Sequence, residues 1–305
     1  MVSINLSATK GTTKAPVPHA QIDAHGLVDD AHAGDWDRQV SLLSVESIER
    51  FAEKAGRGFE HGAFAENVTT RGIDLDAVAL LDRFRIGDVD LDVTQIGKAC
   101  HGGTCAIYRE VGRCLMPDEG VFCRVRTGGH LAPGDTIVHE LRPLRILVIT
   151  VSDRAHSGAY ADRSGPHVRG IVEAFLSESR WHPEIDARLL PDDADQLRQT
   201  LAQARDDGIE VVMTTGGTGI GPRDVTPDVV LELADKEIPG IMEHIRVTCG
   251  AKNRNALLSR SVAAVLGQTL VFALPGSRRA VDEYLAEICP LLDHALCMVH
   301  GLGHG

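Results

Sequence analysis

Four short stretches in the second half of the chain carry residue types suited to holding an anion. They are Ser152-Asp153, Pro191-Asp192-Asp193, Thr215-Gly216-Gly217-Thr218-Gly219 and Pro275-Gly276-Ser277. A glycine-rich turn lets backbone approach a ligand closely and aims N–H groups at phosphate oxygens. Ser277, just before an expected helix, could add a hydroxyl and the positive end of that helix. Arg223, Arg260 and Arg278 could offset ligand charge. Asp192 and Asp224 are acidic in a region otherwise built for anions, which makes sense if a divalent cation bridges them. Mg²⁺ usually takes one or two carboxylates plus substrate phosphates.

These stretches need a frame that brings them together. Ile146–Val151 is a continuous apolar run, typical of a strand buried on both faces. A helix is expected at Gly165–Glu178, with Val168, Ile171, Val172, Phe175 and Leu176 on one stripe. A strand at Glu184–Leu190, a helix at Ala194–Asp206 and a strand at Glu210–Thr214 should follow. Thr226-Pro227 reads as an N-cap followed by proline at the first helical position. A last strand, Thr269–Leu274, leads through Pro275-Gly276-Ser277 into a C-terminal helix. Alternating β and α elements with buried strands imply an α/β, doubly wound, mostly parallel sheet. In such a sheet ligands bind outside the carboxyl ends of the strands, where all four stretches fall.

Each residue taken alone has a plainer reading. A glycine-rich turn is often only a turn, and this one lacks the Gly-Lys-Ser/Thr of a Walker A loop. Asp192 or Asp193 could simply cap the next helix, Asp224 could be a turn residue, and Ser277 could be an N-cap and nothing more. It is their convergence on one rim that points to a site.

The first half reads differently. One helix is expected at Val45–Ala55, capped by Ser44, and the remainder as short strands: Gln39–Leu43, the alternating run around Val89, Leu91 and Val93, and Val121–Val125. Many short strands broken by glycine suggest a β-rich barrel. Residues 1–17 are polar and read as a flexible tail, with one domain over 18–142 and a second over 143–305. Asp88, Asp90 and Asp92 look metal-like, but their alternation with apolar residues makes them one solvated strand face. Four of the seven cysteines, Cys100, Cys105, Cys114 and Cys123, fall close together. Cys114 and Cys123 read as small buried residues, and the spacings fit no common zinc framework.

Composition narrows the classes. The 305 residues suit two domains, and 43% hydrophobic content suffices for packed cores. The net charge of −12 is shared evenly, with 15 basic against 21 acidic residues up to Arg142 and 16 against 22 beyond it. No basic half is available for a phosphate backbone, and 4% aromatics leave few stacking platforms, so nucleic acid is not an expected partner. The opening stretch lacks the apolar core of a secretory signal, and no run approaches the roughly 18 apolar residues that cross a bilayer. A reduced, cytoplasmic setting without membrane contact is expected.

The run Thr214–Gly219, followed by Pro222-Arg223-Asp224-Val225-Thr226-Pro227-Asp228, resembles the molybdopterin adenylyltransferase (MogA/MoaB-like) family. Val151-Ser152-Asp153-Arg154, Asp162–Pro166, Glu237-Ile238-Pro239-Gly240, Leu258-Ser259-Arg260-Ser261 and Leu274–Ser277 support it, in order, over about residues 144–301. The resemblance implies adenylylation of molybdopterin by ATP with Mg²⁺, releasing pyrophosphate. Asp192 and Asp224 would be the catalytic carboxylates and metal ligands. The Gly216–Gly219 turn would hold phosphate. Ser152, Asp153, Thr215, Arg223, Glu237, Ser259, Arg260, Pro275, Gly276 and Ser277 would line the ATP and pterin pockets. The family also suggests a homotrimer. The stretch Cys249–Arg254 departs from the family's usual pattern.

The first half resembles the MOSC domain over about residues 18–140. The resembling stretches are Ala31-His32-Ala33-Gly34 with Arg38–Ser44, Ala65–Thr69, Ile86-Gly87-Asp88, and Gly97–Tyr108. Asp29-Asp30 and Asp37 depart from its usual residues. The resemblance implies binding of the molybdenum cofactor, or sulfur transfer through a cysteine, with Cys105 the best match and Cys100 next. Lys98 and His101 nearby would favour the thiolate. The expectation is a fusion of two molybdenum-cofactor modules working with other cofactor-synthesis proteins. The rivals are a molybdate-insertion enzyme of the same pathway and a non-catalytic cofactor carrier.

Overall fold

The computed structural model describes residues 1–98, 108 and 114–302. Met1–Arg142 forms one compact unit and Pro143–Gly301 another. No helix among the described residues is long and apolar enough to cross a membrane.

In the first unit an eight-stranded sheet runs in the order β11-β7-β8-β9-β5-β6-β1-β2. Its strands are β1 (Ser3–Leu6), β2 (Ala15–Val17), β5 (Val40–Ser44), β6 (Val68–Thr70), β7 (Arg83–Ile86), β8 (Val89–Ile96), β9 (Val121–Thr127) and β11 (Ile137–Glu140). A second, three-stranded sheet is built from β3 (Ala20–Asp23), β4 (Gly26–Leu27) and β10 (Gly129–Leu131). Residues from both sheets share one core, including Ile4, Ile22, Leu27, Leu42, Phe84, Leu91 and Leu131. The larger sheet is open at β11 and β2, so the expected barrel is β-rich but not a closed ring of hydrogen bonds.

Residues 1–17 are not a flexible tail: they supply β1 and β2, and Ile4 is fully buried. Three of their polar residues, Ser3, Asn5 and Lys14, serve the interior. Lys14 Nζ donates to both oxygens of Asp30 at 2.7 and 2.8 Å, with neither side chain exposed. Asn5 Nδ2 donates to Thr69 Oγ1 at 3.0 Å. The Ala65–Thr69 stretch is likewise structural, because Glu66 accepts from the amides of Gly62 and Phe64 and from Thr69 Oγ1. Polar composition signals solvent only where partners are missing; Ser3, Asn5 and Lys14 find theirs inside, while Thr9, Lys10 and Thr13 stay exposed.

The Val45–Ala55 helix forms as expected, with Ser44 accepting from Ser47 N and Gly56 closing the C-terminus at φ +66°. Along β8 the acidic positions face solvent, where Asp90 pairs with Arg85 and Asp92 with Arg83 and Arg126. Cys114 and Cys123 are buried, and burial, with the nearby Asp92 charge, pushes the Cys123 thiol well above its usual range. Cys100, His101 and Cys105 lie outside the described residues.

The second unit carries a six-stranded sheet in the order β13-β12-β14-β17-β16-β15. Its strands are β12 (Pro143–Val151), β13 (His182–Leu190), β14 (Val211–Thr215), β15 (Lys236–Glu237), β16 (Ala263–Leu266) and β17 (Thr269–Leu274). The first four in the sheet order are parallel; β16 is antiparallel to both β17 and β15, so the sheet is mixed. Helices Ser164–Ser177 and Arg278–Ile288 pack together, and helices Ala194–Asp206 and Thr226–Leu233 pack together. The latter pair covers the face that presents Leu147, Ile149, Val151, Val212 and Val271. Each such side chain contributes about 1.5–3 kcal/mol on full burial. From β12 the chain crosses to β13 on one side and returns to β14 on the other, so the sheet has its switch point between β12 and β14.

Candidate functional site

The parallel strands end level with one another. Val151 is paired with Leu190, Thr150 with Thr215, and Thr215 with Leu274. The loops that leave them therefore open at one height on one rim, in the spatial order Pro191, Ser152, Gly216, Pro275.

The first two loops clasp each other. Asp153 N donates to Asp192 Oδ2 at 3.2 Å, and Asp192 N donates to Asp153 Oδ1 at 2.9 Å. Arg223 reaches in from the third loop to ion-pair with Asp153, its Nη2 lying 3.6 Å from Asp192 Oδ2. Ser152 caps the short Asp153–His156 helix, and its Oγ lies 3.1 Å from the Tyr160 hydroxyl.

The glycine-rich turn is dictated by space as well as by backbone. Gly216 sits at φ +108°, and a Cβ there would run into the Val151 carbonyl oxygen. Gly217 sits at φ +64°, where a Cβ would meet Thr226 Oγ1 at 2.5 Å. Only glycine serves at both positions. Gly216 N donates to Leu274 O at 3.1 Å, and Thr215 Oγ1 donates to Pro275 O at 2.9 Å, joining the third loop to the last. Thr226 departs from expectation: Val225 holds the cap position, and Thr226 Oγ1 donates to Gly216 O at 3.0 Å. A hydroxyl this close to a half-buried turn carbonyl does more by satisfying it than by capping its own helix.

Asp224 is half-buried and fixed by Gly221 N, which donates to its Oδ2 at 2.8 Å. A Cβ on Gly219 or Gly221 would lie 2.7 or 2.9 Å from that oxygen, so both glycines make room for the carboxylate. Burial first, and then the charge of Asp224, raises the Asp192 carboxyl above its ordinary value; Arg154 pulls the other way. The Asp192 carboxyl thus feels the charge of Asp224 across the rim.

Arg260 is spent on the protein. Its Nε donates to Gly219 O at 2.9 Å, Nη2 to Asp224 O at 2.6 Å, and its fork grips Asp228 at 2.9 and 2.7 Å. It braces the loop that carries Asp224 rather than standing free for ligand. Ser277 caps the Arg278–Ile288 helix through Ala280 N at 3.3 Å, and Gly276 is exposed beside it. Arg278 is exposed at that helix start. Glu237 lies exposed on the edge strand β15, which points toward the same rim, but no contact ties it to the carboxylate pair. Ser259 precedes Arg260, and its Oγ lies 3.0 Å from both Ser261 Oγ and the hydroxyl of buried Tyr284.

Two supporting groups had no role assigned from the sequence, although Asp162 lies in a stretch that carries the family resemblance. Tyr284 anchors Ser259 from the Arg278–Ile288 helix, 25 residues away, and nothing local announces it. Asp162 binds Thr150 Oγ1 at 2.7 Å and the amides of Ser164 and Gly165, while Ser164 Oγ donates to Gly276 O at 2.7 Å. The Asp-x-Ser spacing at 162–164 was the available signal for a helix start.

Fold and rim together define an α/β domain with four loops converging at the switch point of its sheet. Residues 147–294 match the family model described as a probable molybdopterin binding domain, and residues 29–138 match the MOSC domain. The chain is 39% identical over 143 residues to the molybdopterin adenylyltransferase of Haemophilus influenzae, covering 47% of this chain and 71% of that protein. It is 37% identical over 194 residues to a molybdenum cofactor biosynthesis bifunctional protein of Synechococcus elongatus, covering 61% of this chain and 59% of that one. Among solved structures, a molybdopterin biosynthesis enzyme MoaB from a Thermus species aligns with 36% identity and a TM-score of 0.47, covering 52% of this chain and 97% of that one. The chain belongs to the molybdopterin adenylyltransferase family, and it carries a MOSC domain ahead of that module.

Proposed function

We propose that the C-terminal unit transfers the adenylyl group of ATP to molybdopterin, releasing pyrophosphate. The observation that carries this reading is the pairing, on one rim, of a glycine turn fit for phosphate with the Asp192–Asp224 carboxylates. The names of the similar enzymes favour this substrate pair over molybdate insertion.

In this reaction the terminal phosphate of the pterin attacks the α-phosphorus of ATP. A P–O bond forms, the α–β bridging P–O bond breaks, and pyrophosphate leaves with the electron pair. The nucleophile is already anionic, so no general base is required. The protein's part is positioning and charge neutralisation. Within the Gly216–Gly219 turn, Gly216 N is committed to Leu274 O, and the amides of Gly217, Thr218 and Gly219 would be offered to the phosphates. Asp192 and Asp224 would hold Mg²⁺, which when bound would offset charge on the phosphate oxygens. Asp153 N and Gly221 N fix the carboxylate orientations before substrate arrives. Arg223, parked against Asp153, is close enough to turn toward an incoming phosphate. Ser259, steadied by Tyr284, and Ser277 would line the pterin and nucleotide pockets.

The MOSC unit is read as the module that binds or sulfur-modifies the cofactor, with Cys105 and then Cys100 to be examined by mass spectrometry after exposure to a sulfur donor. A homotrimer would cover the exposed side chains of Ile220, Val247, Leu257 and Leu258. Incubation with molybdopterin and Mg-ATP should release pyrophosphate. Tight cofactor binding without pyrophosphate would replace the enzyme with a carrier.

A further inference from the structure

Two buried hydroxyls converge on Ser259 from behind. Tyr284, buried on the Arg278–Ile288 helix, donates its phenolic proton to Ser259 Oγ at 3.0 Å. Ser261 is buried too, with its Oγ 3.0 Å from the same atom. The Ser261 amide adds a longer contact to that oxygen at 3.4 Å. The segment is held in place on both sides of Ser259's partners, since Arg260 N donates to Thr218 O at 2.9 Å and Arg246 Nη1 to Ser261 O at 3.0 Å. The first of these bonds lays the segment against the glycine turn.

The direction of every proton in this group follows from counting. A serine hydroxyl has two lone pairs and one proton. Among the described residues, Ser259 Oγ is the acceptor within reach of the Ser261 hydroxyl. A buried hydroxyl proton is costly to leave without an acceptor, so Ser261 donates to Ser259 and does not accept from it. Tyr284 and Ser261 then fill both lone pairs of Ser259 Oγ. What remains is the Ser259 proton, on the open side of a half-buried residue. Ser259 is thus a donor whose direction is set before any ligand arrives, and donors bonded in series strengthen the last of them. Such a group suits a ligand oxygen and offers nothing to a ligand N–H.

We propose that Tyr284 and Ser261 are positioning residues of the adenylyl-transfer site, holding Ser259 as a fixed hydrogen-bond donor to an acceptor oxygen of the bound substrate. The inference rests on the proposed function for the identity of the two substrates, and on the hydroxyl geometry for everything else.

The test is a double-mutant cycle on the full chain, read as Kd for molybdopterin and for Mg-ATP by calorimetry. Ser259→Ala should weaken one of the two about fivefold or more, which identifies the substrate that carries the acceptor. Tyr284→Phe keeps the ring and removes the donor; it should weaken the same substrate about threefold or more. Added to Ser259→Ala, it should change that Kd no further, and Ser261→Ala should show the same dependence on Ser259. Unchanged Kd values in Ser259→Ala overturn the proposal. So does a Tyr284→Phe loss that persists in full without the Ser259 hydroxyl, or a lowered melting temperature with affinities intact, which would make Tyr284 a packing residue. Pyrophosphate release is followed beside binding. Coupling without pyrophosphate refutes adenylyl transfer and leaves the positioning role standing, whereas pyrophosphate release without coupling overturns the positioning role alone.

Discussion

Replacing Gly216 with alanine isolates what the glycine turn contributes. The residue sits at φ +108°, where a side chain costs about 1–3 kcal/mol in backbone strain. Its Cβ would also overlap the Val151 carbonyl oxygen, and forcing such an overlap apart costs about 1–3 kcal/mol more. A loss of about 2–6 kcal/mol is therefore expected, and at about 2–4 °C per kcal/mol for a unit of this size the melting temperature should fall by roughly 4–24 °C. Gly208→Ala is the control: φ is +71°, but nothing lies within 4 Å of its would-be Cβ, so only about 1–2 kcal/mol should go. Calorimetry of both variants, with pyrophosphate release measured in parallel, separates strain from clash. Gly216→Ala should melt below Gly208→Ala and lose turnover at least tenfold, because the turn can relieve the clash only by leaving the Val151 and Leu274 strand ends. Equal melting temperatures with turnover retained would refute the reasoning.

Other substitutions test other parts. Arg260→Lys cannot reproduce the bonds to Gly219 O, Asp224 O and Asp228 together, and should cost about 1–3 kcal/mol by denaturant titration, with turnover falling more than ATP affinity. The raised Asp192 carboxyl sets a pH signature. The folded state holds that proton more tightly than the unfolded chain, so its stabilising contribution is complete below the ordinary carboxylate value and is lost as pH rises through the folded one. Thermal melts across that window should show the decline in wild type and a flatter profile in Asp192→Asn; at neutral pH, Mg²⁺ should raise the wild-type melting temperature and not the variant's. Lys14→Met leaves the Asp30 carboxylate buried without its cation, costing about 3–5 kcal/mol by unfolding titration, and the added Asp30→Asn change should recover part of it.

The second unit was legible because its central strands β12, β14 and β17 are buried and helices such as Ala194–Asp206 and Arg278–Ile288 carry side-chain caps. The helix over Ala194–Asp206 and the strand over Thr269–Leu274 stand where periodicity placed them. The two-residue edge strand β15, its short neighbour β16 and the Pro239–Lys252 helix were not foreseen; a two-residue strand has no period to read. In the first unit, polarity misled. Residues 1–17 pair in the sheet because Asn5, Lys14 and their partners satisfy one another inside, a fact no local composition carries. The loops of the rim could be named from sequence, but the division of labour among them could not. Arg223 and Arg260 are the same residue type, yet the fold sets one against the carboxylate clasp and uses the other as a brace. That distinction depends on crossings between β14 and the segment before β16, which are set by topology.

The central claim is that one rim aligns a pterin phosphate with the α-phosphorus of ATP under two carboxylates. Its most direct test follows adenylylated molybdopterin by mass spectrometry, with pterin binding measured beside it, in wild type and Asp224→Ala. Wild type should yield the adenylylated product, and the variant should bind pterin with near-normal affinity while forming at least a hundredfold less. Parallel loss of binding and product, or product formation undiminished in Asp224→Ala, would contradict it.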